Sequence, residues 1–136
     1  MRKFLIAAHG SFSSGIKSSL DFIIGETKNL YIIDAYIDNN KSIEDELQLI
    51  LIDLKPDDEL IVMSDLMGGS ITNQILRFAL QRNVHIVSGI SLGLVIEIVM
   101  GDELVSAGEI IENAIINARE QMVYVNKLIN KENDNA

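Results

Sequence analysis

Apolar runs of strand length alternate with amphipathic stretches of helix length along this chain. The run Phe4-Leu5-Ile6-Ala7-Ala8 lacks polar alternation and predicts a strand buried on both faces. Ile16, Leu20, Ile23 and Ile24 follow at helical spacing, and Gly25 supplies a stop. Leu30 to Ala35 predicts a second strand. Ser42 and Asp45 form a capping box ahead of Ile43, Leu47, Ile50, Leu51 and Leu54, and Pro56 ends that helix. A third strand, Glu59 to Ser64, breaks into Asp65-Leu66-Met67-Gly68-Gly69, after which Ser70 caps a helix turning Ile71, Ile75, Leu76 and Ala79 inward. Val84 to Ser88 predicts a fourth strand, and Ser91 opens a short helix ending near Gly101. A last amphipathic helix starts at Ser106, with Glu109 as capping partner and Ile111, Ala114, Ile115, Ala118 and Met122 as its inner stripe. Met122-Val123-Tyr124-Val125 reads equally as continued helix or as a short extra strand, and 132–136 as a frayed polar tail.

Strand-helix alternation of this kind predicts an α/β fold: one domain over residues 1–131, with no internal repeat or linker. Right-handed crossovers build an open, doubly wound sheet of mainly parallel strands with helices on both faces, for which 2-1-3-4 is a common order and the one expected here. Strands 1 and 3 are then neighbours, and the chain reverses direction between them, opening a crevice at their carboxyl ends. His9 leaves the top of strand 1 and Asp65 the top of strand 3, so the two converge there.

Composition narrows the possible chemistry. The chain has 136 residues, no cysteine and a net charge of −9, which excludes disulfides and thiolate sites and argues against a nucleic-acid ligand. Its apolar runs fall short of the roughly 18 residues of a membrane span, and the N-terminal run is too short for a secretory signal. The expectation is a cytoplasmic protein without membrane insertion.

Of the two histidines, His85 lies inside the fourth apolar run and reads as structural, whereas His9 stands where rigid α/β scaffolds present function. Asp65 is placed to hydrogen-bond one imidazole nitrogen, fixing the tautomer and leaving the other nitrogen as nucleophile. Gly68 and Gly69 let backbone N–H groups converge on an anion, and the Ser70 hydroxyl can cap the helix or donate to a phosphoryl oxygen. Phe12, Leu66 and Met67 are apolar residues in the flanking loops, suited either to docking a partner or to folding back onto the sheet. Two rival readings share this region. Gly10 to Ser18 approaches a nucleotide-binding loop with Asp65 as its magnesium ligand, but an extra residue between Gly15 and Lys17 turns the lysine by about 100° around the helix. A receiver-like module with Asp65 itself phosphorylated is the other.

Ala8-His9-Gly10, followed by Ser64-Asp65-Leu66-Met67-Gly68-Gly69-Ser70-Ile71-Thr72-Asn73, resembles the mannose-family IIA component of the bacterial sugar phosphotransferase system (PTS), a likeness that extends to about Lys127. The chain departs from the commonest motif in having Ile71-Thr72 where Pro-Phe often stands. The resemblance implies a phosphocarrier, a phosphotransferase component that needs no metal or other cofactor. His9 would accept phosphate from phosphorylated HPr and pass it to a IIB component, through which the chain would associate with membrane IIC and IID components. It further implies that Asp65 orients the imidazole, that Ser70 contacts the phosphoryl group, and that the protein is a homodimer with a C-terminal strand near residues 122–125.

Overall fold

Each predicted apolar run forms a strand, and the four strands make one parallel sheet in the order β2-β1-β3-β4. The computed structural model describes residues 1–38, 40–67, 69–78 and 83–134. β1 spans Arg2–His9, β2 Leu30–Ala35, β3 Glu59–Ser64 and β4 Val84–Ser88. The helices are α1 (Phe12–Ile24), α2 (Ile43–Asp53), α3 (Ser70–Ile75, tightening into a 3-10 turn at Leu76–Phe78), α4 (Leu92–Val99), α5 (Ala107–Gln121) and α6 (Val125–Asp134).

Alternate residues of β1 face opposite layers, as the pleat requires. Phe4 and Ile6 join Ile61, Met63 and Val87 against Ile16 and Leu20 of α1, Leu94, Val95 and Ile98 of α4, and Ile110 and Ala114 of α5. Leu5 and Ala7 join Ile33, Ala35, Leu60 and Val62 against Leu47 and Ile50 of α2 and Ile71 and Ile75 of α3. Burial on both faces explains why the strands read as unbroken apolar runs.

β1 is longer than its apolar run at both ends. Arg2 is buried because its guanidinium bonds Glu59 at 3.2 Å and the carbonyl oxygens of Asp102 and Val105 at 3.3 and 2.7 Å. At the other end His9 pairs with Ala35 of β2, making it the last strand residue rather than the first loop residue.

Further differences are local, beginning with Leu76, expected inward but exposed at the start of the 3-10 turn. Ile23 faces solvent beside Phe22, so α1 buries a narrower stripe than predicted. Met122 is exposed as well, because α5 ends at Gln121 and Met122 adopts an extended conformation. Residues 122–124 carry no regular structure, and α6 then runs to Asp134, beyond the predicted start of the polar tail; among the described residues there is no fifth strand. The inward placement predicted for Ala79 lies outside the described residues.

At the amino end of the sheet, the Lys55 backbone N–H donates to Asp58 at 2.9 Å and is the main cause holding that carboxyl at about 2, below the ordinary 3.8. Burial opposes the shift, and the Lys3 ammonium at 3.4 Å reinforces it. A depressed folded-state pKa gives stability that is complete above 3.8 and is lost as pH falls toward 2. Asp58→Asn is therefore expected to lower stability at neutral pH and to flatten its decline over that acid window. Urea midpoints measured across the window check this; parallel profiles for the two proteins would contradict it.

Candidate active site

The register of the sheet assembles the site. Ala7 of β1 is level with Ser64, the last residue of β3, and His9 is level with Ala35, the last of β2. Asp65, Tyr36 and His9 therefore leave three adjacent strand ends together, at the switch point where α/β sheets open a crevice.

Asp65 binds His9 twice through one oxygen. Oδ2 accepts the His9 backbone N–H at 3.0 Å and lies 2.8 Å from ring Nδ1, while Oδ1 accepts the Leu66 N–H at 3.0 Å. Burial pushes the Asp65 carboxyl up, but the His9 backbone and ring hydrogen bonds and the attraction of the imidazole outweigh it, so its pKa lies below the ordinary value. An ionised carboxylate at this distance accepts a hydrogen bond from Nδ1–H and so places the imidazole lone pair on Nε2. The His9 side chain is 40% exposed and that of Asp65 14%, so the nucleophile can be reached while its orienting group is sheltered.

The Leu66 carbonyl is held from beneath. Thr72 Oγ1 donates to the Leu66 carbonyl at 2.6 Å and lies 2.8 Å from Ser64 Oγ; its one proton being used on the carbonyl, the Ser64 hydroxyl is the donor in that second bond. Ser64 and Thr72 are both buried. Ile71 is fully buried against the sheet, so the Ile-Thr pair supplies both a core residue and a polar clasp. Thr72→Val keeps the shape but strands the Ser64 hydroxyl and leaves the Leu66 carbonyl with only the Gly69 N–H at 3.2 Å, and is expected to cost about 1–3 kcal/mol in urea unfolding. A loss well under that range would show that the clasp is not needed.

Gly69 belongs here because of close approach rather than unusual backbone. A Cβ on it would lie 3.2 Å from Leu66 and 3.7 Å from His9 Cε1. Gly69 also serves as the extended N-cap of α3, which corrects the capping role expected of Ser70. Ser70 is the first helical residue, and its hydroxyl goes instead to the Tyr36 hydroxyl at 2.6 Å. The Tyr36 ring stands 5.5 Å from the His9 ring, tilted by 42°. Gly68 lies outside the described residues.

Phe12, Leu66 and Met67 are exposed, as are Tyr36 and Ile37, so these side chains do not fold back onto the sheet; Phe12, expected in a loop, is the first residue of α1. His85 sits elsewhere, on β4 beside Ile61, with Nε2 3.6 Å from Glu59. Residues 10–18 do not form a phosphate loop. Asp34 Oδ1 accepts the Ser14 N–H at 3.0 Å, placing a carboxylate at the positive end of α1, and Lys17 is paired with Asp21 at 2.7 Å. Among the described residues, no group of three His, Asp or Glu side chains is gathered to hold a metal ion. No helix among them is long and apolar enough to cross a membrane.

Two features of the site escaped the sequence reading. Thr72 had a slight signal, its place beside Ile71 where the chain departs from the commonest motif. Tyr36 had a weaker one: it follows β2, whose carboxyl end borders the same crevice in the order 2-1-3-4.

Comparison with known proteins agrees with this geometry. Residues 3–115 match the family model described as PTS system fructose IIA component. Among solved structures, a protein assigned as a phosphoenolpyruvate-dependent PTS permease from Klebsiella pneumoniae superposes with a TM-score of 0.88 at 29% identity, over 94% of this chain and 93% of that one. The phosphotransferase system component EIIA of Streptococcus agalactiae gives 0.80 at 28% identity, over 93% and 99% of the two chains. A PTS IIA protein associated with the fucose utilization operon of Streptococcus pneumoniae gives 0.77 at 28% identity, over 94% and 96%.

Proposed function

Because the chain belongs to the family of PTS system fructose IIA components, we propose that it is a phosphocarrier of sugar uptake, with His9 Nε2 accepting a phosphoryl group from phosphorylated HPr and passing it to a IIB component. The observation that carries this reading is the Nδ1–Asp65 contact of 2.8 Å, which leaves Nε2 as the free nucleophilic nitrogen of an accessible ring.

In the forward step the Nε2 lone pair attacks phosphorus, the bond between phosphorus and the donor breaks, and the donor departs with that electron pair. The imidazole gains positive charge as the new bond forms, and the Asp65 carboxylate, already ionised, stabilises it. Ser70 donates to a phosphoryl oxygen, and Gly69, with no side chain beside His9 Cε1, leaves room for that oxygen and for donors to it. The adduct adds a charge of about −1.5 to −2. α3 is too short to supply much of a dipole, so the offset comes from these individual donors. The same groups serve the return step to IIB, in which phosphorus leaves Nε2 for the acceptor. No metal or nucleotide takes part.

Phe12, Leu66 and Met67 form the rim on which HPr and IIB dock in turn, their flexible apolar side chains suiting two partners at one site. The protein acts in the cytoplasm and reaches the membrane IIC and IID components through IIB. It is a homodimer, and exposed Met122, Tyr124, Val125, Leu128 and Ile129 provide the apolar surface for the second subunit.

The chemical stability of the adduct tests the reading. A phosphoramidate on histidine is labile in acid and stable in base, whereas an acyl phosphate on Asp65 is cleaved by base and hydroxylamine. Label that survives base and is lost in acid is expected. The opposite pattern would transfer the role to Asp65 and favour a receiver-like module.

A further inference from the structure

Tyr36 takes up a backbone conformation that its side chain disfavours. It is the first residue after β2 and has φ of 66°, in the left-handed region where a Cβ crowds the following carbonyl. Burial does not explain the strain, because Tyr36 is 55% exposed. What the turn accomplishes is placement: it swings the phenol back across the strand ends, setting the ring 5.5 Å from that of His9 and the hydroxyl 2.6 Å from Ser70 Oγ. Strain held at a functional crevice, with the side chain delivered to the reacting group, points to a role in the chemistry.

The hydrogen bonds give that role a direction. Gln74 Nε2 approaches the Tyr36 hydroxyl at 3.5 Å, a long contact in which the amide donates and the phenol oxygen accepts. The Tyr36–Ser70 contact admits either hydroxyl as donor, and the phenol, the more acidic of the two, is the better one; with its proton directed at Ser70 Oγ, the Ser70 proton is free for an acceptor beside His9. A phenol is a stronger acid than an aliphatic alcohol. As donor to Ser70 it polarises the second hydroxyl and strengthens that hydroxyl's own donation. The chain of donors runs from Gln74 through Tyr36 and Ser70 to the anion that arrives on Nε2.

We infer that Tyr36 is a positioning residue for phosphoryl transfer: its hydroxyl holds and polarises the Ser70 hydroxyl, so that Ser70 donates more strongly to the phosphoryl group on His9. This rests on the phosphocarrier reading above. It adds a residue whose effect passes through Ser70 and shows in the stability of the phosphorylated state.

A double-mutant cycle on the full chain tests it. The equilibrium of phosphoryl exchange with phosphorylated HPr is measured for the unaltered protein, Tyr36→Phe, Ser70→Ala and the double variant. Tyr36→Phe keeps the ring and loses the hydroxyl; it is expected to shift the equilibrium toward phospho-HPr by about five-fold, the scale of one neutral hydrogen bond. In the Ser70→Ala background the same change should have almost no further effect, because the group it acts through is gone. The melting temperature of Tyr36→Phe should stay at that of the unaltered protein. Unchanged exchange in Tyr36→Phe, losses that multiply in the double variant, or a shift that merely follows a lower melting temperature would each overturn the inference. If the unaltered chain carries no phosphate on His9, the phosphocarrier reading fails and this inference with it. If it does and the cycle is additive, this inference alone fails.

Discussion

Replacing His9 by alanine abolishes transfer of labelled phosphate from phosphorylated HPr, whereas His85→Ala labels as the unaltered protein does. The first effect is expected to be on the order of a thousand-fold or more, the scale seen when a nucleophile is removed rather than weakened. The contrast is informative because the chain has just two histidines. His85 stands on β4 with its ring toward Glu59, on another strand from the crevice, and its loss touches no group at the strand ends. His9 stands where three strand ends meet, with one ring nitrogen engaged and the other free. Equal labelling of the two variants would remove the basis for the site.

The second large effect belongs to Asp65. Asp65→Asn retains nearly the same shape but removes the negative charge, and one amide atom takes the place of Oδ2: as oxygen it accepts both His9 bonds without the charge, and as NH2 it faces Nδ1 and gives up the backbone N–H. Where the amide donates, the imidazole must carry its proton on Nε2, and the nucleophilic lone pair is lost. Loss of the partner that orients a functional imidazole typically costs 10–100-fold, and loss of charge stabilisation in the transfer adds to this. We expect the rate of phosphoryl acceptance to fall by about 100-fold, with the fold retained by circular dichroism. A variant that accepts phosphate at the normal rate would show that the 2.8 Å contact is structural. In the unaltered protein the hydrogen bonds from His9 outweigh burial and lower the Asp65 pKa below its ordinary 3.8. The carboxylate is therefore charged throughout the neutral range, and Asp65 introduces no pH dependence there.

The parts of this structure that were legible in the sequence are those set by periodicity and by strand ends. Parallel strands covered on both faces cannot hide their apolar runs; the order β2-β1-β3-β4 is expected only as the common one for such alternation, and the sheet adopts it. That order alone brought His9 and Asp65 together. What stayed hidden was set by tertiary contacts with no periodic signature. Arg2 extends β1 because two distant carbonyl groups and Glu59 satisfy its guanidinium, an arrangement no local pattern reveals. Tyr36 takes a left-handed turn without the glycine that would have advertised one. Ser70 follows a glycine that can itself cap α3, so its hydroxyl is free for Tyr36, a choice governed by a residue 34 positions away. At the C-terminal end, 122–125 carried mixed helix and strand propensity, and the chain resolves it by a break followed by α6.

The most direct test is NMR of the protein carrying nitrogen-labelled histidine, before and after incubation with phosphoenolpyruvate and the general phosphotransferase proteins. The account predicts a His9 ring protonated on Nδ1 at the start and, afterwards, phosphorus coupled to Nε2 of that same ring, with His85 unchanged. Phosphorus on Nδ1, on His85 or on neither histidine would contradict it.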